Sequence, residues 1–432
     1  MKNSLKVKKA TYHLWTLTVS KMISTFGAQV YAFAISFYIL QATGSAASFA
    51  ANLICNILPR TIAAPFAGYI VDNYSRKKIV IFSQIASSLA IAGLLIVSFK
   101  TGLSLSAIYT TSCILSLTSI FSGVAFSSSI TGLVDQDRIQ KAMSLNQMSI
   151  SFASIGSPAI GGLLYGTVSM STFLFVYMAA SSIAVILEST MNFNLFTSKN
   201  TEDDEKEPIW ESMKSGIDYI KTQSLLMIVL WIALLINFFF GAYQVGYSFI
   251  LIEKLKMTSQ QFGLTEGAFA AGMLLLSIYY TVRKEVRYPL LVSKWGILGM
   301  GVIMMAISMP LMLKFPHHII FAYYMVLQLG LGAMDMTTNT PIMVILQKQI
   351  DDRFKGRVFS ILETMAMALM PIGMVLFGFL YDVFPAQWTI IVSSLLFIGV
   401  ILVLARPSVI RRIHPELSSK KGVKVKKVPS SV

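Results

Sequence analysis

Long apolar runs separated by short polar segments make up most of this chain. Each run has roughly the 20 residues that a helix needs to cross the hydrocarbon core of a bilayer. The pattern therefore predicts an all-α polytopic membrane protein with twelve transmembrane helices. The predicted spans are 15–40, 48–71, 79–99, 105–128, 142–166, 172–192, 225–251, 263–282, 291–313, 319–346, 358–380 and 388–405.

One polar segment is much longer than the others and divides the spans into two sets of six. It opens with acidic residues at 201–207, after which Trp210, Met213, Ile217 and Ile220 recur at the spacing of an amphipathic helix. A linker that is disordered throughout is the alternative. The predicted domains are an N-terminal six-helix bundle over 1–193, a cytoplasmic linker with an amphipathic helix over 194–224, a C-terminal six-helix bundle over 225–405 and a basic cytoplasmic tail over 406–432.

Basic residues are distributed unequally among the polar segments. Of the 35 Lys and Arg, 28 lie in alternate segments, 4 in the remaining segments and 3 within spans. Because Lys and Arg favour the cytoplasmic side of a membrane, this predicts a multi-pass protein of a bacterial plasma membrane with both termini in the cytoplasm. The net charge of +15 is dispersed among short loops, which argues against nucleic acid as a partner.

The sequence lacks the motifs of ATP-driven pumps, metalloproteins and hydrolases. It has no GxxxxGK[ST] loop for ATP phosphates, no metal-ligand spacing and no Ser/His/Asp arrangement, and both cysteines lie inside spans. We therefore expect no enzymatic activity, no cofactor and no metal. Energy for transport is expected from an ion gradient or from the substrate's own gradient.

Few ionisable side chains lie inside the predicted spans, where a charge is costly. Asp335, near the middle of the tenth span, is the first candidate for proton coupling, because its hydration would change on exposure to alternate sides. A structural carboxyl bonded to nearby hydroxyls is the alternative, and Glu266 and Glu363 are further candidates. Arg60 is expected to pair with Glu363 or to contact an anionic substrate. Glu188 is expected to be hydrated near a cytoplasmic helix end.

Other polar and aromatic positions in the spans are candidates for the wall of a substrate cavity between the two halves. These substrate-cavity candidates are Lys21, Gln29, Asn237, Tyr243 and Gln244.

The segment from Gly68 to Lys78, at the cytoplasmic end of the second span, resembles the loop between helices two and three of the major facilitator superfamily. In that family the aspartate of this loop is thought to hold the first half to the start of helix eleven. The Arg that usually follows the aspartate is here Asn73, and a loop that only sets topology is the alternative. The conformational latch that the resemblance implies comprises Gly68, Asp72, Arg76, Lys77 and Arg357.

Further segments resemble the drug:proton antiporter branch of that superfamily, typified by macrolide efflux proteins. They are 43–45, 58–59 with Pro65, 268–273, 355–360 and 370–373. The resemblance implies two pseudo-symmetric six-helix bundles and export of a lipophilic or amphiphilic small molecule, such as a macrolide-like drug, by proton antiport with alternating access. It also implies function as a monomer. The alternatives are export of a siderophore or another metabolite, movement of lipid between leaflets, and a non-transporting sensor or scaffold.

Proline and glycine in the fifth span resemble the helix-five signature of antiporters, although the glycine expected before the proline is Ser157. A related Pro/Gly pattern recurs in the eleventh span. Small residues allow helix backbones to approach closely, so we expect them to form contacts between the bundles. The predicted inter-bundle packing residues are Pro158, Gly161, Gly162, Gly272, Pro371 and Gly373.

Overall fold

The computed structural model describes residues 2–193, 195–196, 209–282, 286–313, 315–350 and 355–413. Within the helices, the side chains of some residues lie outside this description, including those of Asp72, Arg357 and Glu363. The described residues are almost entirely helical and contain no β-strand.

Six long helices form the first half of the molecule. They are α1 (Lys2–Thr43), α2 (Ala46–Asn73), α3 (Arg76–Thr101), α4 (Leu105–Leu133), α5 (Gln136–Thr167) and α6 (Met170–Ser189). Ser45, Ser104 and Ser169 cap α2, α4 and α6 by accepting a hydrogen bond from the backbone N–H three residues later. The turn before α2 contains Gly44 at a φ of 62°, a left-handed conformation that favours glycine.

The second half contains ten helical segments, several of which join end to end. They are α7 (Ile209–Thr222), α8 (Ser224–Ser248) with a π-helical extension (Phe249–Lys254), α9 (Ser259–Val282), α10 (Pro289–Ala306), α11 (Met309–Met312), α12 (His317–Gln349), α13 (Lys355–Met367), α14 (Met370–Val383), α15 (Ala386–Leu404) and α16 (Pro407–Ile413). The breaks before α11 and α14 precede Pro310 and Pro371, which sit in the first turn of the new segment, where the missing N–H of proline costs least.

Eleven spans within the described residues are long and apolar enough to cross a membrane. The twelfth predicted span, α2, has 28 residues and packs on α4 and α14. α2 contains the polar residues Asn52, Asn56 and Arg60. The predicted all-α fold, with twelve transmembrane helices in two six-helix bundles, is confirmed.

Successive spans run in opposite directions, so their turns lie at two faces. The turns at 44–45, 102–104, 168–169, 255–258 and 384–385 lie at what we term the distal face. The turns at 74–75 and 134–135 lie at the other face, together with the Arg76–Lys78 cluster, and we term it the basic face. Contact between the two bundles is made chiefly by α5 with α9 and by α2 with α14.

The α5–α9 contact is a backbone crossing between small residues. A Cβ atom on Gly162 would overlap the carbonyl oxygen of Ser259, and one on Gly263 would overlap the carbonyl oxygen of Pro158. Gly161 faces a phenylalanine ring of α1 in its own bundle instead. Because Gly162 and Gly263 each lie against the backbone of the opposite helix, the two bundles meet here without intervening side chains.

Two other glycines predicted to lie between the bundles lie within the second bundle. A Cβ atom on Gly272 would overlap the carbonyl oxygen of Leu329 in α12, and one on Gly373 would overlap that of Phe238 in α8. Pro371 begins α14, beside Gly373. The structure therefore corrects the expected location of Gly272 and Gly373. The small residues of α9 and α14 contact helices of both bundles, and their spacing along the sequence does not indicate which helix each one contacts.

Candidate functional site

A carboxylate joins the two bundles at the distal face. Asp382, near the end of α14, accepts hydrogen bonds from Ser45 Oγ at 2.7 Å and from the backbone N–H groups of Ala46 at 2.7 Å and Ala47 at 3.1 Å. These groups form the N-terminus of α2, where the helix dipole favours negative charge. Asp382 therefore holds α2 against α14 on this side of the membrane, and we term this contact the distal clasp.

The α5–α9 crossing adds a second link close to the same face. Ser259 Oγ donates a hydrogen bond to the Gly162 carbonyl at 2.8 Å. The ring of Phe262 in α9 lies 5.5 Å from the ring of Phe33 and 6.1 Å from that of Phe37, both in α1. The distal halves of the bundles are thus joined by hydrogen bonds and by aromatic packing.

Two cavities adjoin each other, one between the bundles and one lined by the first bundle and Gln244 of the second. One, of about 300 Å³, is lined by Tyr243, Tyr247, Glu266 and several phenylalanines, and we term it the tyrosine chamber. The other, of about 410 Å³, is lined by Lys21, Arg60 and many hydroxyl and amide side chains, and we term it the cationic chamber. The two chambers share the wall residues Gln29, Ala32, Ser36, Leu53 and Gln244. Each volume falls within the range of small-molecule sites.

A hydrogen-bond network surrounds the acidic wall residue of the tyrosine chamber. Tyr243 Oη donates to Gln328 Oε1 at 2.8 Å, and Gln328 Nε2 donates to Glu266 Oε1 at 3.4 Å. Next to it, Tyr247 Oη donates to Thr265 Oγ1 at 2.7 Å. Glu266 is the one acidic side chain among the described residues that line either chamber.

Gln328 is a residue of the site that sequence reasoning missed. It lies in α12 with 2% of its surface exposed and bridges Tyr243 to Glu266. A glutamine in an apolar span is the only sequence signal for it. A buried amide must satisfy its own donors and acceptors, so it fixes the positions of both neighbours.

Asp335 lies close to this network but is not among the described residues that line the chambers. Its Oδ1 accepts a hydrogen bond from Asn339 Nδ2 at 3.0 Å, one turn later in α12. It interacts electrostatically with Tyr243. The arrangement resembles the structural alternative that the sequence left open for this carboxyl.

The cationic chamber contains two basic side chains from different helices. Lys21 Nζ lies 5.6 Å from the centre of the Phe126 ring. The backbone N–H of Arg60 bonds Ser116 Oγ at 3.2 Å, while its guanidinium makes no hydrogen bond or ion pair with any described residue. Arg60 is exposed rather than enclosed by protein.

The structure corrects the expectation that Glu188 is hydrated. It has no exposed surface, because α1 packs over the end of α6 that carries it. Ser20 Oγ donates to Glu188 Oε1 at 2.6 Å, and Oε2 has no hydrogen-bond partner in the described part of the chain. Lys21 lies near enough to Glu188 for the two charges to attract each other.

The substrate-cavity candidates divide between wall and packing positions. Lys21, Gln29, Tyr243 and Gln244 line the chambers, and Gln244 lines both. Its Oε1 is buried and has no hydrogen-bond partner within the described ranges. Asn237 does not line either chamber, and its amide donates to the carbonyl of residue 233 in its own helix.

Two basic residues of the implied latch, Arg76 and Lys77, bond within the first bundle. Arg76 Nη1 donates to the Ser128 carbonyl at 2.6 Å, and Lys77 Nζ donates to the Ser189 carbonyl at 2.8 Å. Gly68 has open space where a Cβ atom would lie. These contacts tie the α2–α3 turn to α4 and α6.

The remaining latch and coupling candidates have side chains outside the described residues. They are Asp72, Arg357 and Glu363. The latch between Asp72 and the start of α13 therefore stays a prediction, as does pairing of Arg60 with Glu363.

Comparison with known proteins also identifies a membrane transporter. A family model described as transmembrane secretion effector matches residues 7–428. Macrolide efflux protein A of Streptococcus pyogenes is 23% identical over 404 residues, covering 92% of this chain and 96% of that protein. Multidrug efflux pump Tap of Mycobacterium bovis is 22% identical over 391 residues, covering 88% and 90%.

Solved structures of transporters share the fold. The nucleoside transporter NupG matches with a TM-score of 0.67 at 12% identity, covering 95% of this chain and 100% of that chain. A POT family transporter in complex with 5-aminolevulinic acid matches with a TM-score of 0.68 at 13% identity, covering 92% and 96%.

Proposed function

Because the chain belongs to the transmembrane secretion effector family of the major facilitator superfamily, we propose that this membrane transporter exports a lipophilic or amphiphilic small molecule by proton antiport with alternating access. The names of its relatives, macrolide efflux protein A and multidrug efflux pump Tap, support export as the direction and a drug-like compound as the substrate. One chain encloses both chambers, so the proposed unit is a monomer in a bacterial plasma membrane.

The observation that carries the proposal is Glu266 in the wall of the tyrosine chamber. A coupling carboxyl must meet water from each side in turn, because its proton affinity changes with hydration. Glu266 meets this requirement better than Asp335, which bonds Asn339 and does not line the chambers. We therefore assign the coupling proton to Glu266 and a supporting role to Asp335.

Alternating access is supported by the asymmetry between the two faces. The distal clasp and the Ser259–Gly162 bond join the bundles at the distal face. By the positive-inside rule the basic face is cytoplasmic, so the structure corresponds to a state closed to the outside. Opening outward would require α2 to leave α14 and α5 to pivot on α9.

In the proposed cycle, Glu266 takes up a proton from outside when the distal face is open. Closure of the clasp and opening of the basic face expose it to the cytoplasm, where it releases the proton. The substrate enters the chambers from that side and moves outward in the next half-cycle. Tyr243 and Gln328 hold the carboxyl in place during both halves.

The test uses inside-out membrane vesicles with an acid interior, in which export appears as uptake. We expect wild-type vesicles to accumulate at least one radiolabelled compound from a panel of drugs, dyes and metabolites when the pH gradient is imposed. Glu266→Gln should abolish gradient-driven uptake but retain exchange of substrate between the two sides, since Gln resembles the neutral acid. Asp335→Asn should retain gradient-driven uptake.

The matched control is Glu253→Gln, which removes a carboxylate that bonds Lys256 outside the chambers. Loss of coupling in Asp335→Asn with normal coupling in Glu266→Gln would move the proton site to Asp335. If wild-type vesicles move no compound from a panel of drugs, dyes and metabolites, the export proposal is wrong.

A further inference from the structure

We propose that the substrate carries an acidic group, such as a carboxylate, sulfonate or phosphate, attached to an apolar body, and that Lys21 and Arg60 bind this group in the cationic chamber. The inference rests on the proposed function in one respect: it takes the two chambers as the transport site. It adds the chemical class of the substrate.

The first observation is that two cations share one chamber. Lys21 in α1 and Arg60 in α2 line it, and no acidic side chain does so among the described lining residues. Glu188 attracts Lys21 electrostatically, but it has no exposed surface and bonds Ser20. Glu266 belongs to the adjoining tyrosine chamber.

The second observation concerns Arg60. A guanidinium inside a membrane span keeps its charge and needs a carboxylate, backbone carbonyls or water. In the part of the chain that the structure describes, that of Arg60 has none of these protein partners. The side chain of Glu363, its predicted partner, lies outside the described residues; an acidic ligand is the partner proposed here, and both cations of the chamber would attract it.

The third observation is that several hydroxyl groups of the chamber already use their donors. Ser24, Ser116 and Ser119 donate their hydroxyl hydrogens to backbone carbonyls of α1, α2 and α4. Hydroxyls used in this way present lone pairs to the cavity, which an anion cannot use. The amides of Gln29 and Gln244 are neutral donors in the same wall, and Lys21 and Arg60 are the charged ones.

The adjoining tyrosine chamber has the complementary character. Phe240, Phe262 and Phe269 line it and would cover an apolar body. The two chambers meet at Gln29 and Gln244, so one molecule can occupy both. A compound whose only charge is a protonated amine would face repulsion in the cationic chamber.

The experiment measures binding of a matched pair of fluorescent probes to the full chain in lipid nanodiscs. 8-Anilinonaphthalene-1-sulfonate carries an acidic group, and N-phenyl-1-naphthylamine has the same rings without it. Empty discs give the background from lipid. We expect the wild type to prefer the sulfonate by about tenfold or more, as hydrogen bonds to charged groups are the stronger kind.

Arg60→Gln and Lys21→Gln should each remove most of that preference and leave binding of the neutral probe unchanged. Arg60→Lys keeps the charge and should retain part of the preference, so it separates the loss of charge from a fault in folding. Lys100→Gln is the matched control, because Lys100 lies in the last turn of α3 at the distal face. Equal binding of both probes by the wild type, or a preference that survives both Gln variants, would overturn the inference.

Soluble compounds and anionic phospholipids could both supply the acidic group. Discs of phosphatidylcholine alone are therefore compared with discs that also contain phosphatidylglycerol. If phosphatidylglycerol displaces the sulfonate from the wild type but leaves the residual binding to the Arg60→Gln protein unchanged, the acidic group belongs to a lipid headgroup. Undiminished sulfonate binding assigns it to a soluble substrate.

Two experimental outcomes distinguish failure of the proposed function from failure of this inference. Selective sulfonate binding without pH-driven movement of the probe in proteoliposomes would refute proton antiport and leave the acidic-group assignment standing. Proton-driven export of ethidium that is unaffected by Arg60→Gln would support the proposed function and refute the assignment.

Discussion

The distal clasp makes a quantitative prediction about the conformational equilibrium. Asp382 accepts three hydrogen bonds from the N-terminus of α2, two of them at Oδ2 and one at Oδ1. Asn has one acceptor oxygen, so Asp382→Asn loses at least one of these bonds and the attraction between the charge and the helix dipole. These contacts exist only when the distal face is closed, and the substitution therefore destabilises that state alone.

The magnitude follows from the number of contacts and their exposure. A hydrogen bond to a charged group contributes about 1.5–3 kcal/mol when buried, and a charge at a helix terminus about 0.3–1 kcal/mol. Asp382 is exposed, so solvent screening reduces both. We expect a total of about 1–2 kcal/mol, which shifts the equilibrium toward the distal-open state roughly 5- to 30-fold.

The assay is the distance distribution between spin labels at Thr101 and Phe384, which are exposed at the distal face on the first and second bundle. Asp382→Asn should increase the long-distance population, and Asp382→Glu should do so less. Asp218→Asn is the control, since Asp218 pairs with Lys221 in its own helix. An unchanged distribution in Asp382→Asn, or an equal change in the control, would refute the role of the clasp.

Two further substitutions test the crossing and the network. Gly162→Ala places a methyl group against a backbone carbonyl of α9, so we expect it to favour the distal-open state in the same spin-label assay; Gly93→Ala, where a Cβ has open space, should not. Gln328→Leu leaves Tyr243 and Glu266 without their shared partner, and each unsatisfied buried group costs about 1–3 kcal/mol. We expect a lower melting temperature and slower gradient-driven uptake; unchanged values of both would show that the bridge has no role.

The candidate site was only partly predictable from the sequence. Lys21, Gln29, Tyr243 and Gln244 were selected as polar or aromatic positions in apolar spans, and all four line the chambers. The same rule selected Asn237, which bonds its own helix instead. Hydropathy reveals that a polar residue lies in a span but not the direction in which it points.

The rotation of each helix about its axis decides which side chains face a chamber, and this explains the other differences between prediction and structure. These spans are apolar on nearly all sides, because lipid and neighbouring helices are both apolar surroundings. Nothing along α9 or α12 therefore indicates that Glu266 faces a chamber while Asp335 does not. Gln328, which bridges Tyr243 to Glu266, was missed for the same reason.

The sequence by itself determined the number of spans, their order and, through the distribution of Lys and Arg, a predicted orientation. These properties depend on the length and polarity of local segments, because each helix interacts with the bilayer through its own residues. The tertiary structure alone decided that Ser45 meets Asp382, that Gly162 meets Ser259 and that two chambers of opposite character adjoin. Such contacts join helices far apart in the chain, and close packing of whole bundles fixes them.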